Sequence, residues 1–276
     1  MARLEFFPNS ADIFDKVGIA DGLSIVFKDM EKKTNGFQYV YSKNSVSYEI
    51  KANNPGEELM PLNPYDISIV DNINDFVFGK YAFLHDSVLS QKLFSIESDF
   101  AERNPDLVRP YSEGDFFDKE TEIKLFTNDK AGKAGRATWF IANKNVITTG
   151  NQYLNKWKVI VSSANAGGQK RSNQIAIVDN YSAFGRSRVA LKTFDTEKEA
   201  INFYKYANSE LIRFAFLLTE ESLSSLAKQV PDILNYKDDN GLIDFDSDIN
   251  AQLYKLFNID EPNQKHIREV LASKSE

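Results

Sequence analysis

Short runs of alternating apolar and polar positions dominate the first fifty residues. Residues 4–7 (LEFF) are mostly apolar, 22–28 (GLSIVFK) read as a buried strand, and 37–41 and 46–50 alternate at period two. This predicts antiparallel β-structure with an exposed apolar flank over residues 1–53. Asn53-Asn54-Pro55-Gly56 breaks the pattern and marks a domain boundary. Ile67, Val70, Ile73 and Phe76 then fall at helical spacing, whereas 98–122 is acidic, proline-bearing and predicted to be irregular. Strand signals return at 122–126, 137–142, 156–162, 174–178 and 188–194. Thr196 with Glu199 three residues on forms a capping box. Ala200, Phe203, Tyr204, Ala207, Leu211, Phe214 and Leu218 follow it with the period of one long amphipathic helix. An acidic linker, 238–248, leads to two short helices built on Ile249, Leu253, Leu256 and Phe257, and on Ile267, Val270 and Leu271. The expected class is α+β, a mixed sheet with helices preceded by a β-rich segment. The expected domains are 1–55, 56–236 and a helical tail, 237–276.

Charge sharpens this picture. Residues 130–192 hold eleven Lys/Arg against one acid, Asp179, a local +10 in a chain whose total is −7. Such a reversal repels itself unless an anion meets it, and a polyphosphate backbone is the commonest one. In 156–162, Trp157, Val159 and Val161 alternate with Lys156 and Lys158; in 188–194, Val189 and Leu191 alternate with Arg188 and Lys192. One face of this sheet is therefore expected to be apolar and the other basic. Gly167-Gly168-Gln169-Lys170-Arg171 follows a strand, where glycines let the backbone approach a phosphate or base edge and the next three side chains donate. The predicted DNA-binding set is Lys156, Lys158, Gly167, Gly168, Gln169, Lys170, Arg171, Arg186 and Arg188. Arg186 and the 169–171 loop are assigned to bases, Lys156 and Lys158 to phosphates.

The remaining composition mostly excludes. Without cysteine there is no disulfide, thiolate zinc site or cysteine nucleophile, which suits a reducing cytoplasm. The two histidines, His85 and His266, are isolated, and no apolar run reaches membrane-spanning length. Neither a P-loop nor a dinucleotide turn is found, and no catalytic or metal residue is assigned. Asp244, Asp246 and Asp248 have the spacing of a calcium loop but lack its turn glycine and bidentate glutamate. Asp106 with Glu122-Ile123-Lys124 fits the loose pattern of Mg²⁺-dependent nucleases, the acids holding the metal and the lysine polarising water. A nuclease is thus an alternative, and a protein-interaction fragment with an acidic partner is another.

Three segments in order resemble the C-terminal part of adenine-specific DNA methyltransferases of single-chain type II restriction–modification systems. The first is Phe6-Phe7-Pro8-Asn9-Ser10-Ala11-Asp12-Ile13-Phe14 with Val17-Gly18-Ile19-Ala20-Asp21-Gly22, similar to the last strands of the catalytic domain. The second runs from Asn155-Lys156-Trp157-Lys158-Val159 through Thr193-Phe194-Asp195-Thr196 to Glu199-Ala200, similar to the target-recognition region. The third is the tail, Gln252-Leu253-Tyr254-Lys255-Leu256-Phe257-Asn258-Ile259.

This resemblance implies a remnant of a Rossmann-like methyltransferase sheet at 1–55 and a DNA target-recognition domain after it. Double-stranded DNA and a catalytic region or subunit are the implied partners, with no membrane. In the family the methyl-donor motifs and the Asn-Pro-Pro-Tyr loop precede these segments, and neither is found within the 276 residues. Asn63-Pro64-Tyr65-Asp66 is similar to that loop but lacks the second proline and is expected to open a helix. No cofactor is therefore assigned to this chain, S-adenosylmethionine being expected on the missing catalytic part. Isothermal titration with S-adenosylmethionine is expected to give no stoichiometric heat; tight one-to-one binding would refute this.

Overall fold

A computed structural model describes residues 1–14, 19, 22–31, 36–43, 45–53, 61, 63–132, 135–163, 175–219 and 225–273. The chain forms two compact units, Met1–Asp71 and Asn72–Glu276.

In the first unit, β1 (Arg3–Phe7), β2 (Leu23–Phe27), β3 (Gly36–Lys43) and β4 (Val46–Asn53) form one sheet in the order β2-β1-β3-β4. The sheet is mixed rather than antiparallel, since β1 runs parallel to β3 with Leu4 opposite Tyr39. The chain after β1 folds back along its outer side as β2, so β3 takes the inner side running with β1. Gly22 enters β2 at φ +81°, where a Cβ would collide with the Phe7 carbonyl. Leu4, Phe6, Phe37, Tyr39 and Ala52 are buried together, whereas Val26 and Phe27 on the β2 edge are exposed.

This unit ends later than the Asn-Asn-Pro-Gly break suggested. The Tyr39 hydroxyl donates to the Pro61 carbonyl at 3.2 Å, and Tyr65 stacks on Tyr48 with centroids 3.8 Å apart. Those contacts tie the residues before α1 (Ile67–Lys80) to the sheet. Asn63 opens the turn ahead of α1, its side chain accepting from the Tyr65 N–H at 3.0 Å.

In the second unit come β5 (Ala82–Phe83), α2 (Phe100–Arg103), β6 (Val108–Pro110), β7 (Glu122–Asn128), β8 (Ala137–Asn143), β9 (Trp157–Ser162), β10 (Ile175–Val178), β11 (Ser182–Phe184) and β12 (Arg188–Phe194). The helices α3 (Glu197–Ala207), α4 (Glu210–Leu217), α5 (Ile249–Leu256) and α6 (Glu261–Ser273) follow, with β13 (Pro231–Asp232) between α4 and α5. The predicted class, α+β with mixed and antiparallel sheets, is the one observed. Sheets β10-β9-β12 and β11-β7-β8-β6 share one core, in which Ile160, Val178 and Ala190 of the first meet Ile123, Leu125, Ala183 and Phe184 of the second. α3 packs against β9, β10 and β12.

Three expectations change here. The long helix after Thr196 is broken into α3 and α4. Asn208 and Ser209 turn their side chains back onto the Tyr204 and Tyr206 carbonyls, at 2.8 and 2.7 Å, competing with continuation of the helix. The stretch 98–122 carries α2 and β6, so it is not wholly irregular. The tail at 237–276 is no separate domain. Asn202 donates to Asp238 at 2.8 Å, Lys205 to the Phe245 carbonyl at 2.8 Å, and the Tyr254 hydroxyl to Glu210 at 2.6 Å. Within it, Asp248 caps α5 by accepting from the Ala251 N–H at 3.1 Å, and Asp246 pairs with Lys205.

Candidate nucleic-acid interface

β9 is the middle strand of its sheet and is covered on both faces, so the expected basic face is not built. Val159, Ile160 and Val161 are all buried, and Lys158, between Trp157 and Val159, is 0% exposed. Lys158 therefore cannot contact a phosphate. Its Nζ donates to the carbonyls of Leu154 at 3.1 Å, Asp179 at 3.1 Å and Ser182 at 2.8 Å, matching the three donors of an ammonium. Burial draws its pKa down to about 7, with the Asp179 charge opposing the fall. On β12 a register shift between Ala190 and Lys192 breaks the alternation, and Val189, Ala190 and Leu191 are all buried.

Three other bases of the block meet acids from outside it. Lys156 pairs with Asp195, Lys192 with the buried Asp232, and Arg186 Nη1 with Glu97 Oε2 at 2.9 Å. Arg186, expected to read bases, is further tied down through its backbone. Its N–H donates to Ile96 O at 2.9 Å and its carbonyl accepts from Gln91 at 2.7 Å. A window of sequence counts bases without seeing the acids that folding brings to them. Gly167, Gly168, Gln169, Lys170 and Arg171 lie outside the described residues.

The block's one acid acts within the fold. Asp179, in the turn between β10 and β11, takes Lys124 Nζ, the Tyr181 N–H at 3.1 Å and the Ser182 hydroxyl. Burial pushes its pKa upward, but the hydrogen bonds from Lys124 and Ser182 and the Lys124 charge outweigh it and hold the carboxyl below its usual range. Lys124 is thereby engaged, as is Glu122, which accepts from Arg109 Nη2 at 3.1 Å and the Asp118 N–H at 2.9 Å. Asp106 lies in a turn ahead of β6, and β8 separates β6 from β7, which bears Glu122. Among the described residues no group of three or more His, Cys, Asp or Glu could hold a metal ion.

Arg188 differs from its neighbours. Its guanidinium lies 5.1 Å from the Phe126 ring centroid, and Nη1 donates to the Ser187 carbonyl at 3.1 Å. Burial alone lowers its pKa, and none of the described carboxylates pairs with it. Phe126 belongs to an aromatic set on the outer side of β7 and β8 that charge counting missed. It faces Trp139 across the strands with centroids 4.8 Å apart, and Lys124 Nζ lies 5.7 Å from the Trp139 ring and 5.6 Å from that of Tyr111. The signal was present in the alternation of Glu122, Lys124 and Phe126 against Ile123 and Leu125.

The segments around residues 156–159 and 193–200 are one physical unit. β9 and β12 are antiparallel, with Trp157 opposite Phe194 and Lys156 paired to Asp195. The next residue, Thr196, caps α3: its Oγ1 accepts from the Glu199 N–H at 3.3 Å and donates to Glu199 Oε2 at 2.7 Å. The Lys156–Asp195 pair lies beside this cap, with the Asp195 side chain largely exposed. Neither the protein-family models nor the curated proteins compared with the chain match it. Among the described residues no helix is long and apolar enough to cross a membrane.

Proposed function

We propose that this chain is the DNA sequence-recognition portion of an adenine-specific DNA methyltransferase of a type II restriction–modification system. The observation that carries the reading is the corner formed by β9, β12 and α3. Two motifs separated by more than thirty residues in the sequence meet there through the β9–β12 pairing, with Trp157 opposite Phe194, and the Lys156–Asp195 pair. In this reading the mixed sheet of the first unit is the end of a Rossmann-like catalytic sheet. Methyl transfer and S-adenosylmethionine belong to a catalytic region or subunit acting with the chain in the cytoplasm, and double-stranded DNA is the partner of the second unit.

The interface is smaller than the charge of the block suggests, because Lys158 is buried and Lys156, Arg186 and Lys192 are paired. Of the cations in the predicted set, Lys170, Arg171 and Arg188 remain for the duplex, so that set neutralises at most about three phosphates. The contribution of that set to the slope of log affinity against log salt is then no steeper than roughly −3, at about −0.9 per phosphate. Fluorescence anisotropy with a labelled random-sequence duplex, titrated between about 50 and 200 mM salt, measures it. Binding that ignores salt, or no binding at low salt, would remove the basis for the reading.

A further inference from the structure

Phe126 and Trp139 form an aromatic shelf on the outer side of β7 and β8, their ring planes tilted by 35°. Phe126 and Trp139 are cross-strand partners with rings 4.8 Å apart, and two cations address them, Arg188 over Phe126 and Lys124 near Trp139. These cations are not equivalent. Lys124 has its carboxylate in Asp179, whereas the hydrogen bond of Arg188 goes to the carbonyl of its neighbour Ser187. A guanidinium has five N–H donors in one plane. Half-buried and without a described counter-charge, it is stripped of part of its water and given little in return.

The aromatic neighbour bears on what would complete it. A phosphate needs only a mobile positive charge, which a lysine supplies without a shelf. An aromatic face fixes the plane of a guanidinium, and a fixed plane matters for a planar acceptor pair such as N7 and O6 of guanine. Arg188 also stands opposite Ser162 at the end of β9, so two paired strands hold its backbone.

We propose that Arg188, its guanidinium over the Phe126 ring, reads the major-groove edge of a guanine and so determines sequence specificity. This rests on the DNA-recognition reading above and assigns to Arg188 the base-reading role that Arg186, bound to Glu97, does not take.

The test is selection from a randomised duplex library by the full 276-residue chain, run in parallel for wild type, Arg188→Lys and Phe126→Leu, with thermal melts to verify folding. Wild type is expected to enrich a motif containing guanine. Arg188→Lys keeps the charge and loses the fork, so preference for guanine at one position should fall about ten- to a hundred-fold, the other positions being retained. Phe126→Leu should weaken the same position by a smaller factor, and it decides the matter if Arg188→Lys does not fold. An unchanged motif in the variants overturns the role of Arg188 and leaves the DNA reading standing. Equal weakening of all sequences with a salt slope shallower by about one unit marks a phosphate contact and also overturns it. Binding without any motif excludes base reading by this chain, and no duplex binding at all removes both proposals.

Discussion

Replacing Lys192 with methionine is expected to destabilise the second unit by about 3–5 kcal/mol, the cost of leaving a buried charge without its partner. Asp232 is 0% exposed, and its carboxylate takes Lys192 Nζ, the Tyr236 hydroxyl at 2.8 Å, the Leu234 N–H at 2.9 Å and the Ser87 hydroxyl at 3.1 Å. Three of those donors are neutral, so Lys192 alone balances the charge. Methionine fills the space of the stem and supplies no cation. A loss of this size lowers the melting temperature by roughly 10 °C for a unit of this length. Urea unfolding of the single variants and of Lys192→Met/Asp232→Asn forms a double-mutant cycle. The double variant should recover at least about 1 kcal/mol relative to additivity, because the amide no longer needs a counter-charge. A single-variant loss below about 1 kcal/mol would mean that water reaches Asp232 and the pair behaves as a surface one. The same strand carries Arg188, so under the proposed function loosening β12 at Lys192 is also expected to weaken duplex binding.

Periodicity located β1 to β4, β7 to β10 and β12 because it reports burial over several residues, and it passed over β5, β6 and β11, each only two or three residues long. It failed where both faces are buried. In β9 the alternation of Lys156 and Lys158 with apolar residues resembles a half-exposed strand, and nothing local says that three carbonyls wait inside for the second lysine. On β12 the register shift before Lys192 is a pairing event with no signature in seven residues. The break between α3 and α4 was readable in hindsight, since Asn208-Ser209 are residues that take helix carbonyls for themselves. The candidate site suffered most from distance in sequence. Asp195, Asp232 and Glu97, which answer Lys156, Lys192 and Arg186, all lie outside the counted block. The shelf under Arg188 needed the β7–β8 register to bring Phe126 to Trp139.

Lys158→Met is the second large effect, and its size depends on pH in a defined direction. The ammonium joins three segments by donating to Leu154, Asp179 and Ser182 carbonyls, so its removal leaves three acceptors without that donor. Such a loss costs about 2–4 kcal/mol near neutral pH, less than three separate deletions because the charge itself was costly to bury. The titration follows from the fall of the folded-state pKa to about 7, the unfolded chain keeping an ordinary lysine value. Between those two values the unfolded chain binds a proton that the folded protein has released. Stability contributed by this group therefore rises with pH from about 7 upward and is lowest, and level, below 7. Methionine has no such titration. Urea unfolding of both proteins at pH 6, 7, 8 and 9 should show the wild type gaining stability relative to the variant at each step above pH 7. Parallel curves across that range would mean that the three carbonyls hold the proton on Lys158 throughout, with the lysine acting as a permanently charged pin. A variant as stable as wild type at every pH would show that the carbonyls find water instead, and that Lys158 does not fasten the β10–β11 turn to β9.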